Sequence, residues 1–216
     1  MPSIISSILP FPNLCWWAYA CTADEIVFDE AEHFEKMTYR NRYYITGPNG
    51  LIQLSIPLLG GRGQRSTMRD MHICNKDRWQ VQHWRTLVSV YNRAAYFQHY
   101  APGLEALYQQ KFERLTGFNL ASIHWLKQQL KAGFTETAAD SYKKEYADMA
   151  ADLRHRFKPK AEKQGIDTHV YYQLFSERNG FLPNLSMLDL LFSEGPHAMQ
   201  WIRSHKEMAL DWRQAI

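Results

Sequence analysis

The sequence lacks any run of about 18 uninterrupted apolar residues, the length that a membrane-spanning helix needs. Its N-terminal apolar stretch has no preceding Lys or Arg, and Pro10, Pro12 and Asn13 interrupt it. That pattern differs from a secretory signal peptide, which has a basic start and an unbroken apolar centre. The sequence therefore predicts a chain without a membrane span or a cleaved leader.

Cysteine is scarce, and the usual signature motifs are missing. The chain has 3 cysteines, Cys15, Cys21 and Cys74, at spacings that do not suit a metal. An odd number of cysteines without such spacing favours a reducing, cytoplasmic setting with idle thiols. We find no GxSxG elbow, Walker or dinucleotide pattern, zinc-ligand cluster or internal repeat. The sequence thus predicts no metal site and leaves the cofactor undetermined.

The excess of positive charge is small. The formal net charge is +3, and no concentrated basic patch occurs outside a single hairpin region. Nucleic-acid binding normally requires such a patch, so this class of partner is not expected.

The first thirty residues predict a strand, a helix and a second strand. Ile4–Leu9 is apolar and short, Asn13 suits a helix N-cap before Leu14–Thr22, and Glu25–Asp29 reads as another strand. This order predicts a βαβ unit, whose ligands usually lie at the carboxyl ends of the strands. Asp29 ends the second strand and is either a site residue or a turn or capping aspartate.

Residues 35–57 predict a β-hairpin with one cationic face. If Met37–Thr46 is a single strand, Lys36, Arg40 and Arg42 share a face, because side chains alternate along a strand. The segment 47–50, Gly-Pro-Asn-Gly, supplies a turn, and alternation resumes after it. Two interpretations remain open for the cations: a site for phosphate or carboxylate, or an ordinary solvated strand face.

From Asp77 onward the hydrophobic period becomes helical. Arg78–Asn92 is predicted as a helix, and His83 on it is either a general acid or base or a histidine bonded to a backbone carbonyl. Ser141–Phe157 and His197–Ile216 are further predicted helices. The overall prediction is an α/β protein in which residues 1–75 form the sheet and residues 76–216 form a helical part packed on it as one unit.

The segment 184–192 is unusually polar for a core helix. Ser186 and Asp189 lie three residues apart and therefore share a helical face. They are either catalytic or involved in capping and buried hydrogen bonds.

Several of these stretches together resemble a known family. They are Lys36–Arg42, Asn49-Gly50, Leu54–Pro57, His83–Arg85 with Tyr91 and Tyr96-Phe97, Leu115 with Asn119, Gly180-Phe181, Asn184–Phe192 and Gly195-Pro196. In this order the sequence resembles the WbqC-like protein family over nearly its whole length. It departs from the family pattern at Ala95, where proline is usual, at Met37, where glutamine is common, and in the opening Pro10-Phe11-Pro12.

The resemblance implies a role in bacterial O-antigen or other surface-polysaccharide (lipopolysaccharide) biosynthesis, with a transferase activity such as glycyl, acyl or glycosyl transfer. The expected partners are an anionic, phosphate-bearing donor (a nucleotide-sugar or an acyl or aminoacyl donor) and a sugar acceptor. The alternative is a non-catalytic nucleotide-sugar-binding, glycan-binding or scaffold protein of the same pathway.

The candidate site residues follow from both readings of the sequence. The candidate catalytic residues are His83 and Asp29, and the candidate substrate-binding residues are Lys36, Arg40, Asn41, Arg42, Tyr91, Asn184, Ser186 and Asp189. Since an anion clamp acts by positioning, Arg40→Ala is expected to cost far more activity than stability.

Overall fold

The computed structural model describes residues 2–60, 66–157 and 170–207. The predicted βαβ unit is confirmed: β1 (Ser3–Ser6) and β2 (Glu25–Phe28) pair in parallel, with α1 (Leu14–Ala20) between them in the chain. Asn13 is the N-cap of α1, because its side-chain oxygen accepts a hydrogen bond from the Trp16 amide at 2.9 Å.

The fold class is α/β, as predicted, but the sheet extends beyond residue 75. The hairpin strands are β3 (Arg42–Ile45) and β4 (Ile52–Ser55), and two later strands, β5 (Thr135–Ala138) and β6 (Ala151–Asp152), join the first pair. The main sheet has the parallel order β5-β2-β1-β6. Two of its strands therefore come from the part of the chain predicted to be helical.

The predicted helix over Ser141–Phe157 is wrong. Residues 140–150 have no helix or strand, and β6 follows directly. The apolar spacing that suggested a helix has another cause: Tyr146 and Met149 pack against Ile5 and Val27 on one face of the sheet. A loop lying across a sheet satisfies these apolar residues without helical geometry.

The predicted hairpin is confirmed, but its first strand is shorter than expected. β3 and β4 pair antiparallel as a separate two-stranded sheet, and the Gly50 amide donates to the Gly47 carbonyl at 3.1 Å in the turn. Tyr39–Asn41 forms a 3₁₀ turn because the Thr38 hydroxyl caps the Arg40 amide, and Met37 has φ +63°. Arg40 therefore does not share a strand face with Lys36 and Arg42.

The rest of the described chain is mainly helical. The helices are α2 (Trp79–Tyr91), α3 (Phe97–Gln109), α4 (Leu115–Leu130), α5 (Ser176–Asn179), α6 (Met187–Glu194) and α7 (Ala198–Ser204). The predicted last helix begins at α7, and its residues 208–216 lie outside the described ranges.

One large hydrophobic core joins the helices to the sheet. Ile4, Ile26 and Phe28 point into this core together with many buried rings, including Trp16 and Trp17. The opposite face of the sheet carries only a small cluster of Ile5, Val27 and Ala139. The carboxyl ends of β1, β2 and β6 thus lie at one edge of a sheet that is thickly covered on one side and thinly on the other.

Candidate functional site

The carboxyl ends of the parallel strands bring polar residues together. Ser7 follows β1, Asp29 follows β2 and Arg154 follows β6. β1 lies between β2, which comes next in the chain, and β6, which comes last in the sheet, so the strand order reverses beside β1. In open α/β sheets, ligands bind outside the carboxyl ends at such a reversal. This edge is therefore the first place to look for a site.

Arg154 is the centre of the charges at this edge. Its guanidinium donates to Asp29 Oδ2 at 2.9 Å and to Asp152 at 2.6–3.1 Å. It also donates to the backbone carbonyls of Lys143 at 2.7 Å and Lys144 at 3.2 Å. Arg154 and Asp29 are almost fully buried, so this ion pair is largely shielded from solvent.

A second buried pair lies beside the first. Arg40 binds Glu32 in a forked arrangement, with Nε to Oε1 at 3.0 Å and Nη2 to Oε2 at 2.6 Å. Arg40 Nη2 also donates to the Arg154 carbonyl at 2.9 Å, and Ser7 Oγ donates to the same carbonyl at 3.1 Å. We call the set Ser7, Asp29, Glu32, Arg40, Asp152 and Arg154 the sheet-edge cluster.

The ionisation of the cluster depends on burial and on the two arginines. Burial raises the pKa of Glu32 although Arg40 and Ser7 hydrogen-bond to it. Burial alone would also raise the pKa of Asp152, but the hydrogen bonds and charge of Arg154 outweigh this effect and lower it. Burial disfavours the charged form of Arg154, whereas Asp152 and Asp29 raise its pKa. Glu32 is therefore the carboxylate of the cluster best suited to take up a proton near neutral pH.

The rim of the cluster reaches solvent. Arg40 Nη1 lies 3.3 Å from Thr38 Oγ1 and 3.5 Å from Glu35 Oε2. Glu35, which is 40% exposed, also lies 3.4 Å from Nδ1 of the half-exposed His155. The long distances at Nη1 make this the most weakly held part of the Arg40 guanidinium.

The predicted cationic face of the hairpin is wrong as a single surface. Arg40 is buried in the sheet-edge cluster, whereas Lys36 is exposed. Arg42 Nη1 lies 3.4 Å from Gln53 Oε1, and Asn41 donates to the Ile56 carbonyl at 3.0 Å. Among the predicted site residues, the structure places Asp29 and Arg40 in one cluster and leaves Lys36, Asn41 and Arg42 outside it.

His83 lies in the aromatic core. Its Nε2 is 3.2 Å from the Ser55 carbonyl and its Nδ1 is 3.3 Å from the Tyr43 hydroxyl, which in turn bonds Tyr108. Burial lowers the pKa of His83 to about 4. His83 is therefore neutral at pH 7 and has the backbone-bonded geometry that was one of its two interpretations.

Tyr91, Asn184, Ser186 and Asp189 form buried structural contacts. Tyr91 and Tyr171 donate to the two oxygens of Asp189 at 2.5 and 2.7 Å, and burial raises the pKa of Asp189 to about 6. Ser186 caps α6, and the Asn184 side chain accepts from the Cys15 amide at 3.0 Å. No printed hydrogen bond joins these four to the sheet-edge cluster in the ranges that the structure describes.

Sequence reasoning missed four members of the cluster: Ser7, Glu32, Asp152 and Arg154. Glu32 lies in an irregular segment, and Arg154 lies in a stretch mistaken for a helix. The one usable signal was Asp152-x-Arg154, because two charged residues at strand spacing face the same way. Within the residues that the structure describes, no three His, Cys, Asp or Glu side chains are arranged to hold a metal ion.

These features define an α/β protein with a buried charge cluster at the reversal point of a parallel sheet. The profile of the WbqC-like protein family matches residues 9–173, and the chain belongs to this family. It is also similar to the "Uncharacterized protein Rv1507c" of Mycobacterium tuberculosis (strain ATCC 25618 / H37Rv), with 26% identity over 207 residues covering 83% of this chain and 88% of the relative. No solved structure matches the chain. None of the described helices has the length and apolar character to cross a membrane.

Proposed function

We propose that this protein is a cytoplasmic transferase of bacterial surface-polysaccharide biosynthesis, of the O-antigen type. It would move a glycyl, other acyl or glycosyl group from an activated, phosphate-bearing donor to a sugar acceptor. The pathway follows from what the family resemblance implies. The site follows from one observation: charged side chains from three separate segments of the chain meet, almost fully buried, at the carboxyl edge of the parallel sheet.

In this proposal, the two arginines bind the donor. A guanidinium offers a planar fork of N–H groups that matches phosphate oxygens and keeps its charge at every physiological pH. Arg154 and Arg40 are joined through the Arg154 carbonyl, so their relative position is fixed before a ligand arrives. A fixed pair of cations stabilises negative charge that develops on a leaving phosphate without reorganising in the transition state.

Glu32 replaces His83 and Asp29 as the proposed proton acceptor. Its pKa is raised by burial, and it is hydrogen-bonded to Ser7 and Arg40. An acceptor hydroxyl or amine would attack the carbonyl or anomeric carbon of the donor and lose its proton to Glu32. The bond to the donor phosphate breaks at the same centre, and the phosphate leaves with the bonding electrons. Asp29 positions Arg154 in this arrangement.

Glu32→Gln tests the assignment, because it removes the proton acceptor but keeps the side-chain shape. A thermal-shift screen of nucleotides, nucleotide-sugars and acyl or aminoacyl donors identifies the ligand, and mass spectrometry of acceptors detects transfer. We expect donor-dependent product with the wild type and a loss of about 10²-fold or more in turnover with Glu32→Gln. Full turnover by a folded Glu32→Gln protein would contradict the role of Glu32.

A non-catalytic glycan-binding protein of the same pathway is the second candidate. A groove of about 580 Å³ lies between α2 and the segment before α5, away from the buried charges. Half-buried Leu174 and Phe175 line it together with exposed Asn92 and Arg93. Apolar walls with a few polar groups are typical of small-molecule sites. Sugar binding that Phe175→Ala abolishes, with no product in the transfer assay, would favour this candidate.

A further inference from the structure

Residues 140–150 connect β5 to β6 across the thinly covered face of the sheet. β5 and β6 are the two edge strands, so the segment must pass over β2 and β1 to join them. It has no helix or strand, and each of its residues is exposed or half-buried. Its two ends are bonded to the sheet, because Ala139 donates to Phe28 and Ala150 donates to Ser3.

Arg154 is the main attachment of this segment at the carboxyl edge. Among the hydrogen bonds of the described residues, those joining 140–149 to the rest of the chain come from the Arg154 guanidinium, to the carbonyls of Lys143 and Lys144. The rings of Tyr142 and Tyr146 also lie against this guanidinium, at 5.5 and 4.6 Å. A single cation thus holds the segment over the strand ends.

The donors of Arg154 are fully used, and they are unequal. A guanidinium has five N–H groups; three point at the carboxylates of Asp152 and Asp29, and two, one on each Nη, point at the neutral carbonyls of Lys143 and Lys144. Hydrogen bonds to charged acceptors are roughly twice as strong as neutral ones. An incoming anion would therefore displace the two carbonyls before either carboxylate.

We propose that residues 140–150 form a lid over the sheet-edge cluster, and that a diphosphate-type anion opens it by taking the two Nη donors of Arg154 from the lid carbonyls. This inference rests on the proposed function, because it assigns the same guanidinium to the donor phosphate. The lid also carries Lys143 and Lys144, both exposed, which add positive charge around the arriving anion. Tyr146 and Met149, packed on Ile5 and Val27, keep the other half of the segment on the sheet.

Limited proteolysis reads the lid directly, because trypsin cleaves after Lys143 and Lys144. The experiment uses the wild-type chain with and without inorganic pyrophosphate and follows the fragments by mass spectrometry. Cleavage after Lys76, in an exposed turn far along the chain, is the internal reference for protease activity. We expect pyrophosphate to raise lid cleavage relative to the reference by about tenfold, since cleavage follows the population of the open segment.

Two further measurements separate failure of the lid from failure of the proposed function. Tyr146→Ala removes a ring from Arg154 and is expected to raise lid cleavage several-fold without any anion, whereas Tyr172→Ala, at an exposed tyrosine, is the matched control. Isothermal titration shows whether pyrophosphate binds. Binding with unchanged lid cleavage would overturn the lid and leave the anion site standing. Absence of binding would overturn anion-driven opening together with the proposed donor site.

Discussion

The buried pair of Arg40 and Glu32 makes the sharpest stability prediction. The two side chains are 2% and 1% exposed, and their closest N–O distance is 2.6 Å. Removing one partner of such a pair leaves a buried, uncompensated charge and costs about 3–5 kcal/mol. We therefore expect Arg40→Met and Glu32→Leu each to lose about this much unfolding free energy, a large share of the total of about 5–15 kcal/mol for a typical domain.

The double variant should be far less damaging than either single variant. Replacing both charges with apolar groups of similar size is often neutral, because neither desolvated charge remains. The Arg154 carbonyl, which Arg40 also binds, keeps its hydrogen bond from Ser7. We expect Glu32→Leu/Arg40→Met to cost about 1–2 kcal/mol, which gives a strong coupling free energy between the two sites.

Urea denaturation followed by tryptophan fluorescence measures the four unfolding free energies. The matched control is Arg69→Met, because Arg69 pairs with Glu30 at the surface at 3.4 Å with 50% and 24% exposure. That variant should change the unfolding free energy by less than about 1 kcal/mol. Additive losses in the double variant, or an Arg40→Met loss as small as that of the control, would refute the reasoning. The large cost also reverses the sequence-based expectation that Arg40→Ala spares stability.

Three other predictions concern the buried polar groups and one glycine. The pKa of Asp189 is raised to about 6, so Asp189 favours folding most when protonated; relative to Asp189→Asn, the wild type should lose about 3 kcal/mol of unfolding free energy between pH 4 and pH 6–7, and parallel pH profiles would argue against this. The pKa of His83 is lowered to about 4, so the opposite sign applies: its contribution is present above pH 6.5 and is lost as the pH falls toward 4. NMR titration should show no His83 protonation above about pH 5. At Gly195, where φ is +55°, an added Cβ would overlap the Tyr96 ring, so Gly195→Ala should cost about 2–3 kcal/mol in thermal unfolding, whereas Gly133→Ala, which meets nothing within 4 Å, should stay within about 0.5 kcal/mol.

The parts of the fold that depend on neighbouring residues could be predicted from the sequence. Asn13 before an apolar run marks a helix start, and the Gly-Pro-Asn-Gly segment marks a hairpin turn, because both signals act over a few residues. The pairing of β2 with β5 joins Glu25 to Thr135. No local pattern encodes a contact over such a separation, so the sheet was assigned too few strands.

The site was harder to predict because burial decides its chemistry. Alternation along residues 37–46 predicts that Arg40 faces solvent, but the Thr38 hydroxyl turns the chain and directs Arg40 toward Glu32. The partner of Asp29, Arg154, lies 125 positions away in sequence. The sequence indicated Asp29 and Arg40 separately, and only the three-dimensional fold shows that they belong to one cluster.

A crystal structure of the protein with pyrophosphate tests the central claim most directly. We expect the anion at the carboxyl ends of β1, β2 and β6, within hydrogen-bond distance of the Arg154 guanidinium, with residues 143–144 moved away from it. Pyrophosphate bound at Lys36 and Arg42, with every hydrogen bond of the sheet-edge cluster still in place, would contradict the claim.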